Sequence, residues 1–451
     1  MTRERDTATL GLAGLDRKLE IVNRLICDLT PNPKNARKHD ARQLRMLETS
    51  IRSFGFLVPA LIDDNDCLLT GHARLIAAKR VGLAEVPTIR IQHLSKAQAR
   101  AFAIADNRLT EIAAWDDHLL AEELKELSGM DLEFSLDATG FTTGEIDFRI
   151  EGAASNLERE DPADVPPPLG PPVSRAGDLW LLGPHRVLCG NALDEAAHVT
   201  LMGGAQAAMV FTDPPFNVPI EGHVSGNGHV THREFVMASG EMSEAEFTRF
   251  LATSLGLHAR HSAQGSLHYW CMDWRHLDEI LAAGRVTHSE LKNLCVWVKT
   301  NAGMGSFYRS QHELILVFKN GSAKFRNNIE LGRFGRNRTN VWTYPGATGF
   351  ARNGEEGNLL ALHPTVKPVA LVADAIMDST CRGEIVLDGF LGSGTTIIAA
   401  ERTGRRGFGL ELDPHYCDVI VRRWQAFTGQ QARLAAGGMS FEEVATERVR
   451  A

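Results

Sequence analysis

One stretch near the carboxyl end constrains the fold of this chain more than any other feature. EIVLDGFLGSGTTIIAAERTGRRGFGLELD, from Glu384 to Asp413, predicts a strand ending at Asp388, a glycine turn, a helix starting near Thr395 and a second strand ending at Glu411. A helix that links two neighbouring strands in this way makes the strands parallel. The C-terminal part of the chain is therefore predicted to be an α/β domain.

The glycine turn also indicates which kind of ligand the domain binds. Gly392 and Gly394 allow a ligand close to the backbone, and Glu411 is placed to accept hydrogen bonds from ribose hydroxyls. Thr395 stands where a triphosphate-binding loop needs lysine, and Ile397 replaces the third glycine of a dinucleotide site. A ligand with ribose but no phosphate, such as S-adenosylmethionine, needs neither residue. A purely structural turn is the alternative.

The segment before this turn supplies further strands. LWLLGPHRVLCG predicts a hairpin, AAMVFTD predicts a central strand, and QGSLHYWCMD, LKNLCVWVKT and HELILVFKN predict additional strands. Long apolar runs of this kind are typical of strands that are covered on both faces. Together with the strands around the glycine turn, they favour a doubly wound sheet.

The strand AAMVFTD ends in Asp213, Pro214, Pro215 and Phe216, a group that we call the acceptor loop. A surface turn explains the prolines, but it does not explain an acid beside a flat ring at a strand's end. Doubly wound sheets bind ligands at the carboxyl ends of their strands. We therefore expect the acceptor loop and the glycine turn to lie close together.

The composition of the acceptor loop suits methyl transfer to the exocyclic amino group of a base. The lone pair of that nitrogen is delocalised into the ring, so the nitrogen is a poor nucleophile that needs hydrogen-bond acceptors to activate it. The carboxylate of Asp213 and a main-chain carbonyl such as that of Pro214 can each hold one N–H, and the prolines fix these acceptors in place. Phe216 offers a stacking face worth roughly 1–3 kcal/mol. A base inside a duplex cannot reach such a pocket, so it must be extruded.

These motifs together resemble a known family. TDPPF, followed about 175 residues later by LDGFLGSGTT and GLELD, resembles the β group of amino-methylating DNA methyltransferases, which act on adenine N6 or cytosine N4. The resemblance covers about 177–427 and includes GDLWLLGPHRVLCGNAL, NAGMGSFYRSQHELILVFKNG and HPTVKPVAL. It implies a Rossmann-like methyltransferase fold, S-adenosyl-L-methionine as cofactor and double-stranded DNA as substrate.

The resemblance assigns roles residue by residue. It makes Asp213, Pro214, Pro215 and Phe216 the catalytic group. It also implies a cofactor-binding set, which comprises Asn191, His363, Thr365, Lys367, Asp388, Gly392, Gly394, Thr395 and Glu411.

Three positions qualify the assignment. Asn191 replaces the usual aspartate near the cofactor's adenine, and Gly389 replaces a common proline, which we expect to loosen the turn slightly. Aspartate at 213 favours adenine N6, because the cytosine-specific enzymes usually carry Ser-Pro-Pro. Methylation of cytosine N4 is one alternative. The other is a non-enzymatic ParB-like DNA-binding factor with a vestigial methyltransferase domain.

A basic segment lies within the region, residues 219–360, that reads the target in this group. AKFRNNIELGRFGRNRTNVW carries five cations against one acid, which suits phosphate and base-edge contacts. A solvated charged loop is the alternative. The predicted DNA-binding residues are Lys324, Arg326, Arg333, Arg336 and Arg338.

The N-terminal part resembles a second family. LTPNPKNARKHD, SIRSFGFLVPALID and LLTGHARLIAAKRVGLAEVPTIRI are similar to the ParB-like (ParB/sulfiredoxin) fold, which implies a smaller α+β domain. Gly71 would turn the chain into a helix whose Arg74 contacts phosphate, so a nucleotide is a candidate ligand. Partition proteins have Gly-Glu-Arg-Arg here, and His72 stands where sulfiredoxins carry cysteine. A DNA-associating or nucleotide-sensing accessory domain is expected.

Composition places domain boundaries. Six of the eighteen prolines fall between Asp161 and Pro172, which predicts an exposed linker. We therefore expect a ParB-like domain with a helical extension over 20–150, a proline-rich linker over 151–176, the methyltransferase domain over 177–430 and a loosely held tail over 431–451.

The bulk composition limits the partners and the location. A net charge of −8 argues against a protein coated with DNA-binding charge, but a local basic cleft stays compatible with it, since salt screens charges beyond roughly 10 Å. No zinc-type spacing of histidines or cysteines appears, and no metal is predicted. The sequence contains no long apolar run, so neither a signal peptide nor a membrane span is expected. We expect a cytoplasmic, nucleoid-associated enzyme of restriction-modification type, with a homodimer as a candidate assembly.

Overall fold

The computed structural model describes residues 19–130, 132–154, 171–218, 240–299, 308–329, 338–344 and 367–450. The chain forms two compact units. The smaller comprises residues 1–123 and 130–142, and the larger comprises residues 124–129 and 143–451.

The smaller unit is built on a four-stranded sheet in the order β1-β4-β2-β3, and its helices lie between the strands and after the last strand in sequence. Its strands are β1 (Ile21–Leu25), β2 (Ala60–Ile62), β3 (Leu68–Thr70) and β4 (Glu85–Arg90). Its helices are α1 (Ala41–Phe54), α2 (His72–Val81) and α3 (Lys96–Ile112), and α4 (Asp117–Ser128) follows.

Helix α1 shows why these elements form where the sequence predicts them. Asp40 caps its amino end by accepting the Gln43 N–H at 2.7 Å, and Gly55 ends it with φ +82°, in the left-handed region that favours glycine. Ile51 lies on the buried face and packs in a core that also holds Ile62 and Leu75. The expected α+β architecture of the N-terminal part is confirmed.

The larger unit is built on a ten-stranded sheet in the order β11-β9-β10-β8-β7-β12-β13-β6-β5-β14. Its strands are β5 (Leu179–Leu182), β6 (His185–Cys189), β7 (Ala207–Thr212), β8 (Ser262–Met272), β9 (Glu290–Lys299), β10 (His312–Lys319), β11 (Val341–Tyr344), β12 (Ile385–Asp388), β13 (Arg406–Glu411) and β14 (Arg433–Leu434). Its helices are α5 (Thr143–Ala154), α6 (Glu195–Met202), α7 (Glu244–Arg260), α8 (Leu277–Thr287), α9 (Val369–Ser379), α10 (Thr395–Thr403), α11 (Pro414–Thr428) and α12 (Phe441–Arg450).

Five neighbouring strands at the centre of this sheet, β8-β7-β12-β13-β6, are parallel. Strand β10 runs antiparallel to both of its neighbours, and β5 and β6 form the predicted hairpin. Separate buried clusters pack against the sheet, which explains the long apolar runs of its strands. The Rossmann-like α/β prediction is confirmed. The short edge strand β11 was not predicted.

The boundaries of the larger unit differ from those that the sequence predicts. Helix α5, assigned to the N-terminal domain, belongs to this unit, because the buried carboxylate of Asp147 receives two hydrogen bonds from the buried guanidinium of Arg405 at 2.9 and 2.7 Å. Part of the predicted linker is also anchored: the N–H groups of Val173 and Ser174 donate to the carboxylate of Asp418.

The expectation of a loosely held tail is wrong for residues 431–450. Strand β14 pairs with β5, and the first turn of α12 buries Phe441 against Trp180, with ring centroids 5.3 Å apart. Arg448 forms an ion pair with Asp178. The tail has few apolar residues, but Phe441 and Val444 among them are buried. Apolar periodicity alone therefore did not predict that the tail is ordered. Among the described helices, none combines the length and apolar character needed to span a membrane.

Candidate active site

The predicted site residues gather at one edge of the large sheet. The parallel register places Val386 of β12 beside Met209 of β7, and Glu411 of β13 beside Cys189 of β6. The acceptor loop, the glycine turn, Glu411 and Asn191 therefore lie at the carboxyl ends of four neighbouring strands. The expected proximity of the acceptor loop and the glycine turn is confirmed.

Asp388 ties these two loops together. Its carboxylate accepts the Thr212 hydroxyl at 2.7 Å, the Thr396 hydroxyl at 2.6 Å and the Phe390 N–H at 3.0 Å. Burial raises the pKa of Asp388, although these three donors oppose the shift. Thr212 directly precedes Asp213, so the carboxylate that was predicted to contact the cofactor fixes the acceptor loop against the glycine turn.

The glycine turn has the backbone that the sequence predicts. Gly392 and Gly394 have φ values of +52° and +86°, and a Cβ on Gly394 would lie 2.9 Å from side-chain atoms of Ile420. The Gly392 N–H donates to Glu411 Oε2 at 2.8 Å, and the Asp413 N–H donates to Oε1 at 2.9 Å. Because a carboxylate oxygen can accept more than one hydrogen bond, Glu411 keeps capacity for ribose hydroxyls. Burial raises its pKa to about 7.

Two other predicted cofactor residues are held by the protein. Thr395 is buried, and its hydroxyl lies 3.4 Å from the guanidinium of Arg423, which also donates to Ser393. Arg423, in α11, was not predicted; its contacts hold the glycine turn in place. Asn191 accepts the Leu193 N–H at 2.9 Å through its Oδ1, which shapes the turn after β6.

The space beside Gly389 is filled by a buried histidine. A Cβ on Gly389 would lie 2.4 and 2.5 Å from the Cε1 and Nε2 atoms of His258, a residue of α7 with no exposed surface. The expected loosening of the turn is therefore wrong. The glycine makes room for an imidazole ring that packs against the turn.

The acceptor loop presents one free carboxylate oxygen. Asp213 Oδ2 accepts from the ammonium of Lys367 at 2.6 Å, whereas Oδ1 is buried and has no hydrogen-bond partner among the described residues. Phe216 packs between two buried clusters. Asn217, at φ +52°, closes the exit of the loop by bonding to the backbone of Gly240 and Met242. No sequence pattern singles out Asn217.

Lys367 contributes to the acceptor site. Its Nζ lies 2.6 Å from Asp213 Oδ2 and 2.6 Å from Glu313 Oε1, and only 5% of its side chain is exposed. Burial opposes protonation, but the two carboxylates raise the pKa of Lys367. Its ammonium is held by two acids of the acceptor site, which the sequence did not predict, and a contact with the cofactor stays a prediction. Glu313 was overlooked because HELILVFKN predicts a strand and nothing more.

The same carboxylates form part of a group that resembles a metal site. The ligand atoms of Asp213, Cys271 and Glu313 all lie within 4.8 Å of one another. The ammonium of Lys367 lies between the two acids and supplies the positive charge there. Burial raises the pKa of the Cys271 thiol well above its usual range, so this sulfur is held as the neutral thiol.

The predicted DNA-binding residues have different environments. Lys324 and Arg326 are exposed, and Arg326 lies 3.6 Å from Glu384. Arg338 is a correction. Its guanidinium donates to Asp374 at 2.8 Å and to Asp378 at 3.0 Å, and these acids raise its pKa although burial opposes the shift.

Arg338 is therefore part of the protein's own interior ion-pair network. Arg333 and Arg336, like the predicted cofactor residues His363 and Thr365, lie outside the described residues.

The smaller unit contains a separate cavity of about 230 Å³ around the amino end of α2. Gly71, at φ +95°, starts that helix, and Arg74 lines the cavity with Arg37 and His72. Burial lowers the pKa of both Arg74 and His72. Backbone N–H groups at a helix amino end, next to a half-buried arginine, are suited to binding an anion.

Family models match three successive parts of the chain. The ParB N-terminal domain model matches residues 16–108, and the ParB-methyltransferase helix-turn-helix domain model matches 118–176. The N6/N4 methyltransferase model, described as DNA methylase, matches 207–422.

Individual proteins resemble parts of the chain. The ParB-like nuclease domain-containing protein YnaK of Escherichia coli (strain K12) is 37% identical over 84 residues, which are 19% of this chain and 97% of that protein. Type II methyltransferase M2.DpnII of Streptococcus pneumoniae is 27% identical over 236 residues, 48% of this chain and 82% of that protein. The structure of the putative DNA modification methylase TTHA0409 of Thermus thermophilus, complexed with S-adenosyl-L-methionine, is 21% identical; the match covers 57% of this chain and 96% of that one, with a TM-score of 0.37.

Proposed function

The chain belongs to the N6/N4 family of DNA methylases, whose domain it joins to a ParB-like domain, and we propose that it methylates the N6 amino group of adenine in duplex DNA. The cofactor is S-adenosyl-L-methionine, which supplies an electrophilic sulfonium methyl group when bound. Restriction-modification is the setting that the resemblance to a type II methyltransferase suggests.

One observation carries this proposal: Oδ1 of Asp213, at the carboxyl end of β7, is buried and has no hydrogen-bond partner within the described part of the chain. A buried acceptor without a donor costs about 1–3 kcal/mol, and an amino group of an extruded base would supply the missing donor. Oδ2 is already occupied by Lys367, so the carboxylate offers one oxygen in one direction. A main-chain carbonyl of the same loop, such as that of Pro214, takes the second N–H.

The residues around the glycine turn suit the cofactor. Glu411 has accepting capacity for ribose hydroxyls, Gly392 and Gly394 expose backbone, and Asn191 follows the adjacent strand. Thr212 and Asp388 hold this half of the site against the acceptor loop. A rigid connection of this kind keeps the two reacting groups aligned without a cost at the moment of reaction.

The choice of adenine rests on residue 213. The cytosine-specific enzymes of the family usually carry serine at this position, and an ionised carboxylate is a stronger acceptor for an amino N–H than a neutral hydroxyl. Asp213 is further held by the buried Lys367, which fixes its orientation. Cytosine N4 is the alternative substrate.

The decisive experiment is methyl transfer by the purified chain to mixed-sequence duplex DNA, followed by nucleoside mass spectrometry, with Asp213→Ala as the control. N6-methyladenine that depends on Asp213 is the expected product. N4-methylcytosine would overturn the choice of base, and no methylated nucleoside would favour the non-enzymatic alternative. Sequencing of methylated bases in a host that expresses the protein would identify the target site.

Lys324 and Arg326 are proposed to contact DNA phosphates, since both are exposed and lie in the basic segment. DNA binding of this kind would place the enzyme on the nucleoid, which fluorescence microscopy of the tagged protein checks. The homodimer remains a prediction, and sedimentation with and without DNA tests it.

A second function is favoured by the cavity of the smaller unit. We propose that it binds a nucleoside phosphate, with Arg74 and the amino end of α2 holding the phosphates. Calorimetric titration with the four ribonucleoside triphosphates is expected to show binding that Arg74→Ala abolishes. Equal binding by the wild-type protein and Arg74→Ala would refute this site.

A further inference from the structure

A chain of four alternating charges lies at the acceptor site. Lys299 pairs with Glu313 Oε2 at 3.1 Å, Glu313 Oε1 lies 2.6 Å from Lys367, and Lys367 reaches Asp213 at 2.6 Å. Glu313 and Lys367 have 7% and 5% of their side chains exposed. Burying three charges in this way is costly unless each one is matched closely by its neighbours.

The reversed strand β10 explains how Glu313 reaches the site. Because β10 runs antiparallel to β8, its amino end lies at the same sheet edge as the carboxyl ends of the parallel strands. Leu314 pairs with Met272 at the end of β8, and Glu313 precedes it by one residue. The topology thus brings an acid from the start of one strand to the end of another.

This arrangement gives the two carboxylate oxygens of Asp213 different partners. Glu313 holds the ammonium of Lys367, which occupies Oδ2 and leaves Oδ1 as the oxygen without a partner among the described residues. Without Glu313, the lysine side chain could move to bridge both oxygens of Asp213. Glu313, on β10, would therefore keep Oδ1 available to accept a hydrogen bond.

We propose that Glu313 is a positioning residue for methyl transfer, acting through Lys367 to orient Asp213 toward the amino group of the base. This inference rests on the proposed function. In each turnover the amino nitrogen forms a bond to the methyl carbon, the carbon–sulfur bond breaks with its electron pair left on sulfur, and the nitrogen loses one proton. Oδ1 of Asp213 accepts that proton and passes it to water.

The charges around Asp213 predict a pH dependence of the methylation rate that tests the proposal. Asp213 is faced by Lys367, Glu313, Cys271 and Asp388. Burial raises the pKa of Asp213 to about 6, Lys367 lowers it, and the negative charges of Glu313 and Asp388 raise it. Replacing Glu313 with neutral glutamine therefore removes one cause of the raised pKa, and the acid limb of the pH–rate profile should move to lower pH.

The test is the single-turnover methylation rate of Glu313→Gln between pH 5 and 9, with saturating cofactor and target duplex. A loss of about 10–100-fold at pH 8 is expected, since small misplacements of reacting groups have effects of this size. The acid limb should shift downward while cofactor affinity stays within twofold of wild type. Glu313→Asp keeps the charge, so its acid limb should stay near that of the wild type although its rate falls.

Glu290→Gln is the matched control, because it makes the same change at an exposed acid on the neighbouring strand β9. A Glu313→Gln profile that coincides with that of Glu290→Gln overturns the proposal. So does a lowered rate with an unmoved acid limb in both Glu313 variants, which indicates a structural role only. A wild-type protein that transfers no methyl group overturns the proposed function itself, and that result is separate from either outcome.

Discussion

The contact between Gly389 and His258 supports a quantitative prediction about the glycine turn. In Gly389→Ala, the new Cβ would lie 2.4 and 2.5 Å from two atoms of the imidazole, where ordinary contacts are 3.4–4 Å. Gly389 does not have a positive φ, so alanine suits the backbone and the effect is steric. The ring or the turn must move.

The ring has little freedom to move. His258 is fully buried, its Nδ1–H donates to the Ser254 carbonyl at 2.8 Å, and the Trp270 and His198 rings pack edge-to-face at 5.1 Å. Burial lowers its pKa to about 3, so the ring is neutral and keeps this hydrogen bond at working pH. Overpacking of such a site costs about 1–3 kcal/mol. We expect a value near 2 kcal/mol, which lowers the melting temperature of a unit of this size by about 3 °C.

A double-mutant cycle isolates this contact. In the His258→Ala background the space beside residue 389 is open, so Gly389→Ala should cost close to nothing there, and the coupling should be about 1–3 kcal/mol. Tryptophan fluorescence is a suitable probe, because the larger unit holds six of the seven tryptophans. Cofactor affinity, measured by calorimetry, should fall in Gly389→Ala and recover in the double variant.

Gly256→Ala is the control on the same helix. A Cβ at Gly256 meets only the Thr287 methyl group, at 3.7 Å, and alanine in a helix interior is favoured over glycine by about 1 kcal/mol. Its melting temperature should stay the same or rise. An equal cost of Gly389→Ala with and without the His258 ring would refute the steric argument.

Four further predictions concern the charged groups of the larger unit. The methylation rate of the wild type should fall as the pH drops through about 6, because protonation weakens Asp213 as a hydrogen-bond acceptor and prevents it from taking the proton of the amino group; a rate that stays flat down to pH 5 would contradict this. Asp388→Asn should lower the free energy of unfolding by about 3 kcal/mol, since hydrogen bonds to a charged group contribute about 1.5–3 kcal/mol each, and urea denaturation measures this. Arg338→Ala should destabilise the protein by about 3 kcal/mol, since it removes the guanidinium that binds the carboxylates of Asp374 and Asp378, and the salt dependence of DNA binding should be unchanged. Lys324→Ala should instead lower the salt-dependence slope by about 1 with unchanged stability.

Local sequence patterns predicted much of this structure because their causes are local. Asp40 and Gly55 bound α1 through contacts within a few residues, and the glycine turn is required by its own backbone angles. The long apolar runs identified the buried strands for a similar reason: a strand with helices on both faces has no polar side.

The errors arose where a side chain's partner is distant along the chain. Arg338 stands in a basic run and was interpreted as a DNA contact, yet its acids Asp374 and Asp378 lie 36 and 40 residues away. Lys367 was assigned to the cofactor, and its pairing with Asp213, 154 residues earlier, was not predicted. The sequence shows which side chains are charged. Only the fold shows which of them are already paired with an opposite charge inside the protein.

The linkage between the two halves of the site follows from the same principle. The loops proposed to bind the cofactor and the base lie 175 residues apart, and each loop alone has the freedom of any surface turn. The hydrogen bond from Thr212 to Asp388 joins the two adjacent strand ends into one rigid unit. In the sequence, Thr212 is only the last residue of an apolar run, so its role was not predicted. Thr212→Val keeps the shape of that residue and removes its donor. It should therefore reduce the single-turnover rate more than it reduces cofactor affinity, because it releases the acceptor loop and leaves the glycine turn with the donors of Thr396 and Phe390.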